Sequence, residues 1–249
     1  MPSECDGPII AVERLTIGYG DTVVLENLEF GVPAGGVFAI LGGSGSGKST
    51  LLRHLIGLEQ PMGGRICVAG APPRRDSGAP TYGVLFQSGA LFGSMTLFEN
   101  VALPLRKWTE LDRRAIDIIV RSKLRLVGLE GFEHHLPAEL SGGMKKRAGI
   151  ARALALDAPL LFLDEPSAGL DPVSSAELDE LILTLNQSLR MTTIIVTHEL
   201  PSIFTIASDC ILLERSVRGI IARGNPVTLR DAHDDPRVRA FFNREPRAS

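Results

Sequence analysis

Gly42-Gly43-Ser44-Gly45-Ser46-Gly47-Lys48-Ser49 fits the pattern G-x-x-x-x-G-K-[ST]. The octapeptide follows a strand-like run, residues 37–41, and precedes a helix-like one, residues 50–57, which is the context a phosphate-binding loop requires. Glycines admit backbone geometries that turn several N–H groups toward one anion, and a helix start adds about half a unit of positive charge. In that setting Lys48 reaches the β- and γ-phosphates of a nucleoside triphosphate, Ser49 offers a hydroxyl oxygen to Mg²⁺, and Thr50 adds a phosphate contact. The plainer reading is a flexible Gly/Ser turn, yet at average residue usage such a match arises by chance in on the order of one chain per hundred.

The loop binds a triphosphate without saying what becomes of it. Residues 160–165, Leu-Leu-Phe-Leu-Asp-Glu, end a buried strand in two carboxylates at its carboxyl edge, where ligands sit in open α/β sheets. Asp164 is the candidate metal ligand, and Glu165 the candidate base for the water that attacks the γ-phosphate. Without the phosphate loop the pair would read as a solvated strand end. His198, after the strand-like residues 192–197, is placed to donate to the γ-phosphate, and Gln87, closing residues 82–86, to sense metal and attacking water with its amide. Ser141-Gly142-Gly143 opens a helix at 145–156, with Ser141 able to cap it and the glycines freeing N–H groups for an anion. One chain has no evident use for two cradles on one γ-phosphate unless the second serves a nucleotide held by another copy, so the pair points to a head-to-tail homodimer.

These residues need elements to hold them. Residues 23–30, 36–41, 65–68 and 82–86 read as strands, and the first third of the chain is mostly sheet. Between residues 99 and 155 the apolar spacing lengthens to three or four, as at Ala115, Ile118, Ile119, Ser122 and Leu126, which predicts a helical insert. Residues 160–163 and 193–196 return as near-continuous apolar runs around the amphipathic segment 174–189, the signature of buried parallel strands alternating with helices in an α/β core. Residues 71–80 form a Pro/Gly/charge-rich surface loop, and residues 231–249 a polar tail with an apolar cluster at Val238, Phe241 and Phe242. The two phenylalanines have two candidate homes, their own subunit or the dimer mate. Lys145, Lys146, Arg147 and Arg152 read as the solvated basic face of a helix.

Composition removes whole classes. A chain of 249 residues, 44% hydrophobic and 22% charged, can bury a real core as one large or two small domains. Its 26 Lys and Arg against 29 Asp and Glu leave a net charge of −3, which disfavours nucleic acid as a partner. Cys5, Cys67 and Cys210 are odd in number and lack a C-x-x-C pair, so reduced thiols in a cytoplasmic compartment are expected. No apolar run approaches the roughly 18 to 20 residues of a membrane span, and Glu4 and Asp6 stand where a secretory signal would be basic.

The motifs together resemble the ATP-binding subunit of ABC transporters across essentially the whole chain: Tyr19, the loop at 42–49, Gln87, Leu140-Ser141-Gly142-Gly143, Asp164-Glu165, Ser167-Ala168-Gly169-Leu170-Asp171 and His198 follow one another in the family's order. The resemblance implies ATP and Mg²⁺ and a P-loop NTPase (RecA-like) α/β core. It adds an N-terminal antiparallel β-subdomain and an α-helical insert: residues 8–86 the β-subdomain and loop core, 88–155 the helical part, 156–230 the remaining core and 231–249 a short tail. By the same resemblance Tyr19 stacks on adenine, Ser141 and Gly143 clamp the γ-phosphate of the opposite subunit, and Asp171 couples the two sites. From pattern alone Tyr19 reads as an edge-strand aromatic packing on the sheet.

A narrower resemblance runs through Phe86-Gln87-Ser88-Gly89-Ala90-Leu91-Phe92, residues 95–101, Leu103-Pro104-Leu105, Met144 and Asp235-Pro236-Arg237-Val238-Arg239. These look like the ATPase of Mla-type systems, which move phospholipid between inner and outer membranes; residues 70–82 depart from that pattern, where a longer helical segment is expected. The implied partners are permease subunits, an MCE-domain substrate-binding protein and a STAS-domain accessory protein, with the chain on the cytoplasmic face of the inner membrane. Residues 90–105, apolar and just after Gln87, are placed to receive a permease helix, or equally to fill the insert's own core. The alternatives are the ATPase of an importer for another solute, a soluble non-transport ABC ATPase, and, more remotely, a small-molecule P-loop kinase.

Overall fold

The computed structural model describes residues 7–73 and 78–245; the acidic N-terminal start with Cys5, the middle of the loop 71–80 and the last four residues lie outside the described residues. The chain divides into two compact units, one made of residues 1–76 and 194–249, the other of residues 77–193.

In the first unit β1 (Ile10–Tyr19) pairs antiparallel with both β2 (Thr22–Val32) and β4 (Gly63–Val68). Ile10 and Val12, then Leu15 and Ile17, are its buried residues. The three-residue step from Val12 to Leu15 breaks a period of two, and the pairing register shifts there, with Arg14 in the left-handed region at φ 44°. A bulge thus returns the second half of the strand to the core face. Buried throughout, β3 (Val37–Gly42) runs parallel to β8 (Asp209–Glu214), whose other edge takes the antiparallel β9 (Gly219–Gly224). After β3 comes α1 (Lys48–Leu55), which buries Leu51, Leu52 and Leu55. Helices α6 (Leu200–Ile206), α7 (Pro226–Ala232) and α8 (Pro236–Asn243) complete this unit. The stretch expected as a polar tail therefore contains a helix. Its Val238 and Phe242 lie in one core cluster with Leu41, Leu212 and Leu229, and Phe241 packs against that cluster, so both phenylalanines serve their own subunit.

The second unit pairs β5 (Tyr82–Leu85) in parallel with β6 (Leu160–Asp164). Between them in sequence lie α2 (Leu97–Trp108), α3 (Arg113–Leu126) and α4 (Gly142–Ala153), the predicted helical insert. Thr96 and Glu99 cap α2 reciprocally, each side chain taking the other's backbone N–H. A Cβ on Gly83 would stand 2.3 Å from the Ala153 carbonyl oxygen, so only glycine lets α4 seat this closely on β5. Next come α5 (Pro172–Leu189) and β7 (Thr192–Val196), which starts in this unit and ends in the first.

Cys210 is a free buried thiol, its pKa pushed up to about 12 by burial and by the Asp209 charge. Among the described residues no helix is long and apolar enough to cross a membrane.

Candidate nucleotide site

The phosphate loop stands where the sequence puts it, between the end of β3 and the start of α1. Gly42 has φ 154°, and a Cβ there would lie 2.4 Å from Ser46 Oγ and 2.7 Å from the Leu213 carbonyl oxygen. Gly47, at φ 96°, is the N-cap of α1 and has no side chain to give it, so the first-turn N–H groups have no side-chain cap. Of the α-helices in the described residues only α1 and α6 start this way. Ser46 Oγ is buried with no hydrogen-bond partner, and Lys48 Nζ folds back to donate to the carbonyls of Gly42 (2.8 Å) and Gly43 (3.1 Å). Uncapped donors, an orphaned buried hydroxyl and an ammonium resting on loop carbonyls are the set that a polyphosphate completes.

Tyr19 ends β1 and is 46% exposed, so it is no strand aromatic packed on the sheet. Its hydroxyl lies 3.2 Å from Thr50 Oγ1 and accepts from Arg53 Nη1 at 3.1 Å. Arg53 in turn reaches Glu59 (3.6 Å), and the buried His54 donates through Nδ1 to the Thr50 carbonyl at 2.8 Å. Arg53 and Glu59 are additions that no motif signalled: they act through the turn of α1 and the loop after it. His198 follows β7, exposed, with Nε2 3.8 Å from Glu199. The preceding Thr197 N–H donates to the Ile40 carbonyl at 3.4 Å, so His198 leaves the sheet beside β3, close to where the phosphate loop begins.

In the second unit Leu85 pairs with Leu163, so Gln87 and Glu165 leave the parallel strands at equivalent positions, each two residues beyond the pair. Asp164 is the last residue of β6. Glu165 takes φ 46°, unusual for a side chain without special support. Lys146 supplies part of it: its ammonium donates to the Glu165 carbonyl at 3.2 Å and to the Gln87 carbonyl. Burial lowers its pKa, and the nearby charges of Asp164 and Glu165 oppose that shift. The solvated basic face expected here is therefore wrong for Lys146, which is buried, and for Arg152, which donates to the Ala90 carbonyl at 2.7 Å. Long basic side chains on a helix look alike in sequence whether they end in water or on a carbonyl.

Ser141 is the N-cap of α4, its Oγ accepting from the Met144 N–H at 3.2 Å. Cβ atoms on Gly142 and Gly143 would come 3.2 Å from Leu170 Cδ2 and 3.7 Å from Ser174 Cβ, which sets this turn against the segment containing Asp171. Asp171 caps α5, accepting from Val173 N–H and Ser174 N–H at 3.0 Å each and from Ser174 Oγ at 2.6 Å. The apolar stretch 90–105 divides between its two readings. Leu97, Val101, Ala102 and Leu105 are core, while Phe92, Leu103 and Pro104 line an open groove of about 320 Å³ with Tyr82, Val84 and Trp108.

The structure thus brings together Tyr19, Thr50 and the loop in one unit. In the other it joins Gln87 and Glu165 through Lys146, and the Ser141–Gly143 turn with Asp171's. Among the described residues no group of three or more His, Cys, Asp or Glu is arranged to hold a metal ion. The expected magnesium donors, Ser49, Gln87 and Asp164, are hard oxygens of the kind that cation takes alongside substrate phosphates.

A family model described as ABC transporter matches residues 25–168. The probable ribonucleotide transport ATP-binding protein mkl of Mycobacterium leprae is 43% identical over 243 residues, 95% of this chain and 69% of its own. The intermembrane phospholipid transport system ATP-binding protein MlaF of Escherichia coli K12 is 41% identical over 241 residues, 94% of this chain and 88% of its own. Among solved structures, cbiO1 of Clostridium perfringens, part of the ABC transporter complex cbiONQ, aligns with a TM-score of 0.81 at 28% identity over 96% of this chain and 97% of that one. The cassette MJ0796, solved as a dimer bound to ADP and phosphate, aligns at 0.76 and 26% identity over 87% of this chain and 98% of that one. With its phosphate loop, uncapped helix and carboxylate-ended strand, this chain belongs to the ABC transporter family as an ATP-binding, ATP-hydrolysing subunit.

Proposed function

We propose that the chain is the motor of a complex that moves phospholipid between inner and outer membranes, acting as a homodimer on the cytoplasmic face of the inner membrane. The observation that carries this reading is the 41% identity over 94% of the chain with an intermembrane phospholipid transport ATPase. The groove of Phe92, Leu103, Pro104 and Trp108 supports it, as an apolar seat for a permease helix. An MCE-domain binding protein and a STAS-domain protein complete the proposed assembly.

In the proposed cycle Tyr19 stacks on adenine, the N–H groups of residues 42–49 and Lys48 hold the β- and γ-phosphates, and Thr50 adds a contact. Ser141, Gly142 and Gly143 of the second copy close over the γ-phosphate. Ser49, Asp164 and Gln87 would hold Mg²⁺, which when bound neutralises phosphate charge. Glu165 takes a proton from the attacking water while Gln87 orients it and His198 donates to the γ-phosphate. The water oxygen bonds to the γ-phosphorus as the bond to the β–γ bridging oxygen breaks, releasing ADP and phosphate. Loss of the γ-phosphate removes the contacts joining the copies, and reopening drives the permease.

The test is capture of the tagged chain from mildly solubilised membranes of the native host. Copurification of a permease, an MCE-domain protein and phospholipid is expected. The mkl relative, named for ribonucleotide transport, motivates the second reading, the same motor with another cargo, in which a permease arrives with a solute-binding protein. Recovery only from the soluble fraction overturns both.

A further inference from the structure

Lys146 is a buried cation whose hydrogen bonds run to main-chain carbonyls in two segments distant in sequence. It is 6% exposed on α4. Its ammonium gives one hydrogen bond to the carbonyl of Gln87 and one to the carbonyl of Glu165. The residues so joined are the two to which water handling is assigned above.

The backbone at Glu165 needs such a hold. At φ 46° it sits in the left-handed region, where a Cβ crowds its own carbonyl, and such a conformation persists only when its surroundings over-determine it. Two donors meet the Glu165 carbonyl, Lys146 Nζ and the Ala168 N–H, each at 3.2 Å. The first is charged and out of water, which makes it the stronger of the two. Lys146 also lies five residues after Ser141, the N-cap of the same helix. With α4 seated on β5 through two glycines, its own Gly149 against Leu85 and Gly83 of the strand against Ala153, at distances no larger side chain would allow, a shift of the helix moves the ammonium against both carbonyls.

We propose that Lys146 is a positioning residue for hydrolysis. It fixes the left-handed turn that aims the Glu165 carboxylate, keeps Gln87 in step with it, and makes both depend on the seat of the helix whose N-terminus meets the other copy's nucleotide. This rests on the assignment of Glu165 as the base.

The test compares Lys146→Met, which keeps the apolar stem and removes the donors, with Lys146→Arg, which keeps a charged donor, and with Glu165→Gln, all in the full chain. Each is assayed for nucleotide affinity, kcat, KM and thermal unfolding. Lys146→Met is expected to bind ATP within about twofold of the native chain while kcat falls roughly tenfold or more, and Lys146→Arg to recover most of that loss. A native kcat in Lys146→Met overturns the proposal. So does a KM that rises in step with the fall in kcat, or a folded Lys146→Arg as slow as the methionine variant. Should Lys146→Met not fold, Lys146→Gln, with a single neutral donor group, decides by the same split of kcat from KM. Glu165→Gln hydrolysing at the native rate overturns the base assignment and this inference together; an inactive Glu165→Gln beside a fully active Lys146→Met overturns the inference alone.

Discussion

Two helix starts in this protein, those of α1 and α4, are built from nearly the same residues and are left in opposite states. α1 follows a Gly/Ser turn, whereas α4 carries its glycines, Gly142 and Gly143, as the first two residues of the helix itself. At α1 the N-cap is Gly47, with no side chain to satisfy the first turn, and the neighbouring Ser46 hydroxyl is buried without a partner. At α4 the N-cap is Ser141, whose Oγ already takes the Met144 N–H. An uncapped helix end is an anion site waiting for its anion; a capped one has met part of its own demand. In the proposed cycle the first therefore binds by itself, whereas the second adds a clamp to a phosphate that another loop already fixes. That division suits a cycle in which each copy binds ATP alone and hydrolyses only when paired.

The largest way to break the comparison is Lys48→Ala. Removing the ammonium from the uncapped end is expected to weaken ATP binding about a hundredfold or more, as loss of one partner of a desolvated charge pair does. Nucleotide titration of the purified chain reads it directly, and near-native affinity would reduce the α1 end to an ordinary turn. Ser141→Arg attacks the other end. It should leave single-copy ATP affinity within a few-fold and suppress turnover by roughly a hundredfold, since the bulk blocks closure and leaves residues 42–49 untouched. Normal turnover in that variant would mean that the α4 start never meets a nucleotide.

A smaller effect is expected at Arg53, whose guanidinium donates to the Tyr19 hydroxyl and pairs with Glu59. Arg53→Ala frees the ring that is to stack on adenine, so KM should rise a few-fold, equivalent to about 1 kcal/mol, with kcat unchanged. A fall in kcat would show the network reaching beyond binding. Arg53 is half exposed on the surface of α1, so unfolding is not a competing explanation.

The motifs were legible because they are local. Eight consecutive residues define the phosphate loop, and β3, β6 and β7 are runs of buried apolar residues whose length marks them as strands. What escaped was non-local. β1 hides behind its bulge, since Val12 and Leu15 share a face only after the register shift at Arg14. α8 was lost among charges because three residues, Val238, Phe241 and Phe242, carry its attachment to the core. Lys146 and Arg152 could not be told from surface cations, for their partners are main-chain carbonyls, which carry no mark in a sequence.

The smallest expected effect sharpens the comparison with a third helix start. Asp171 caps α5 with a charge, and hydrogen bonds from the Ser174 side chain, then from backbone N–H groups, hold its carboxyl below the usual carboxylate range. A folded pKa below the unfolded one means that the cap's contribution is fully present above the ordinary value of about 3.9 and is lost as pH falls through the depressed one. Ser141 carries no such dependence, because a hydroxyl accepts equally well at either pH. Asp171→Ala should therefore lower the unfolding temperature by roughly a degree or two at neutral pH, with the gap to the native chain closing as pH falls through the depressed pKa of Asp171. A gap that persisted in acid would mean that Asp171 supports α5 through its neutral form, and the turn beside Gly142 and Gly143 would then owe its shape to packing on Leu170 rather than to the cap.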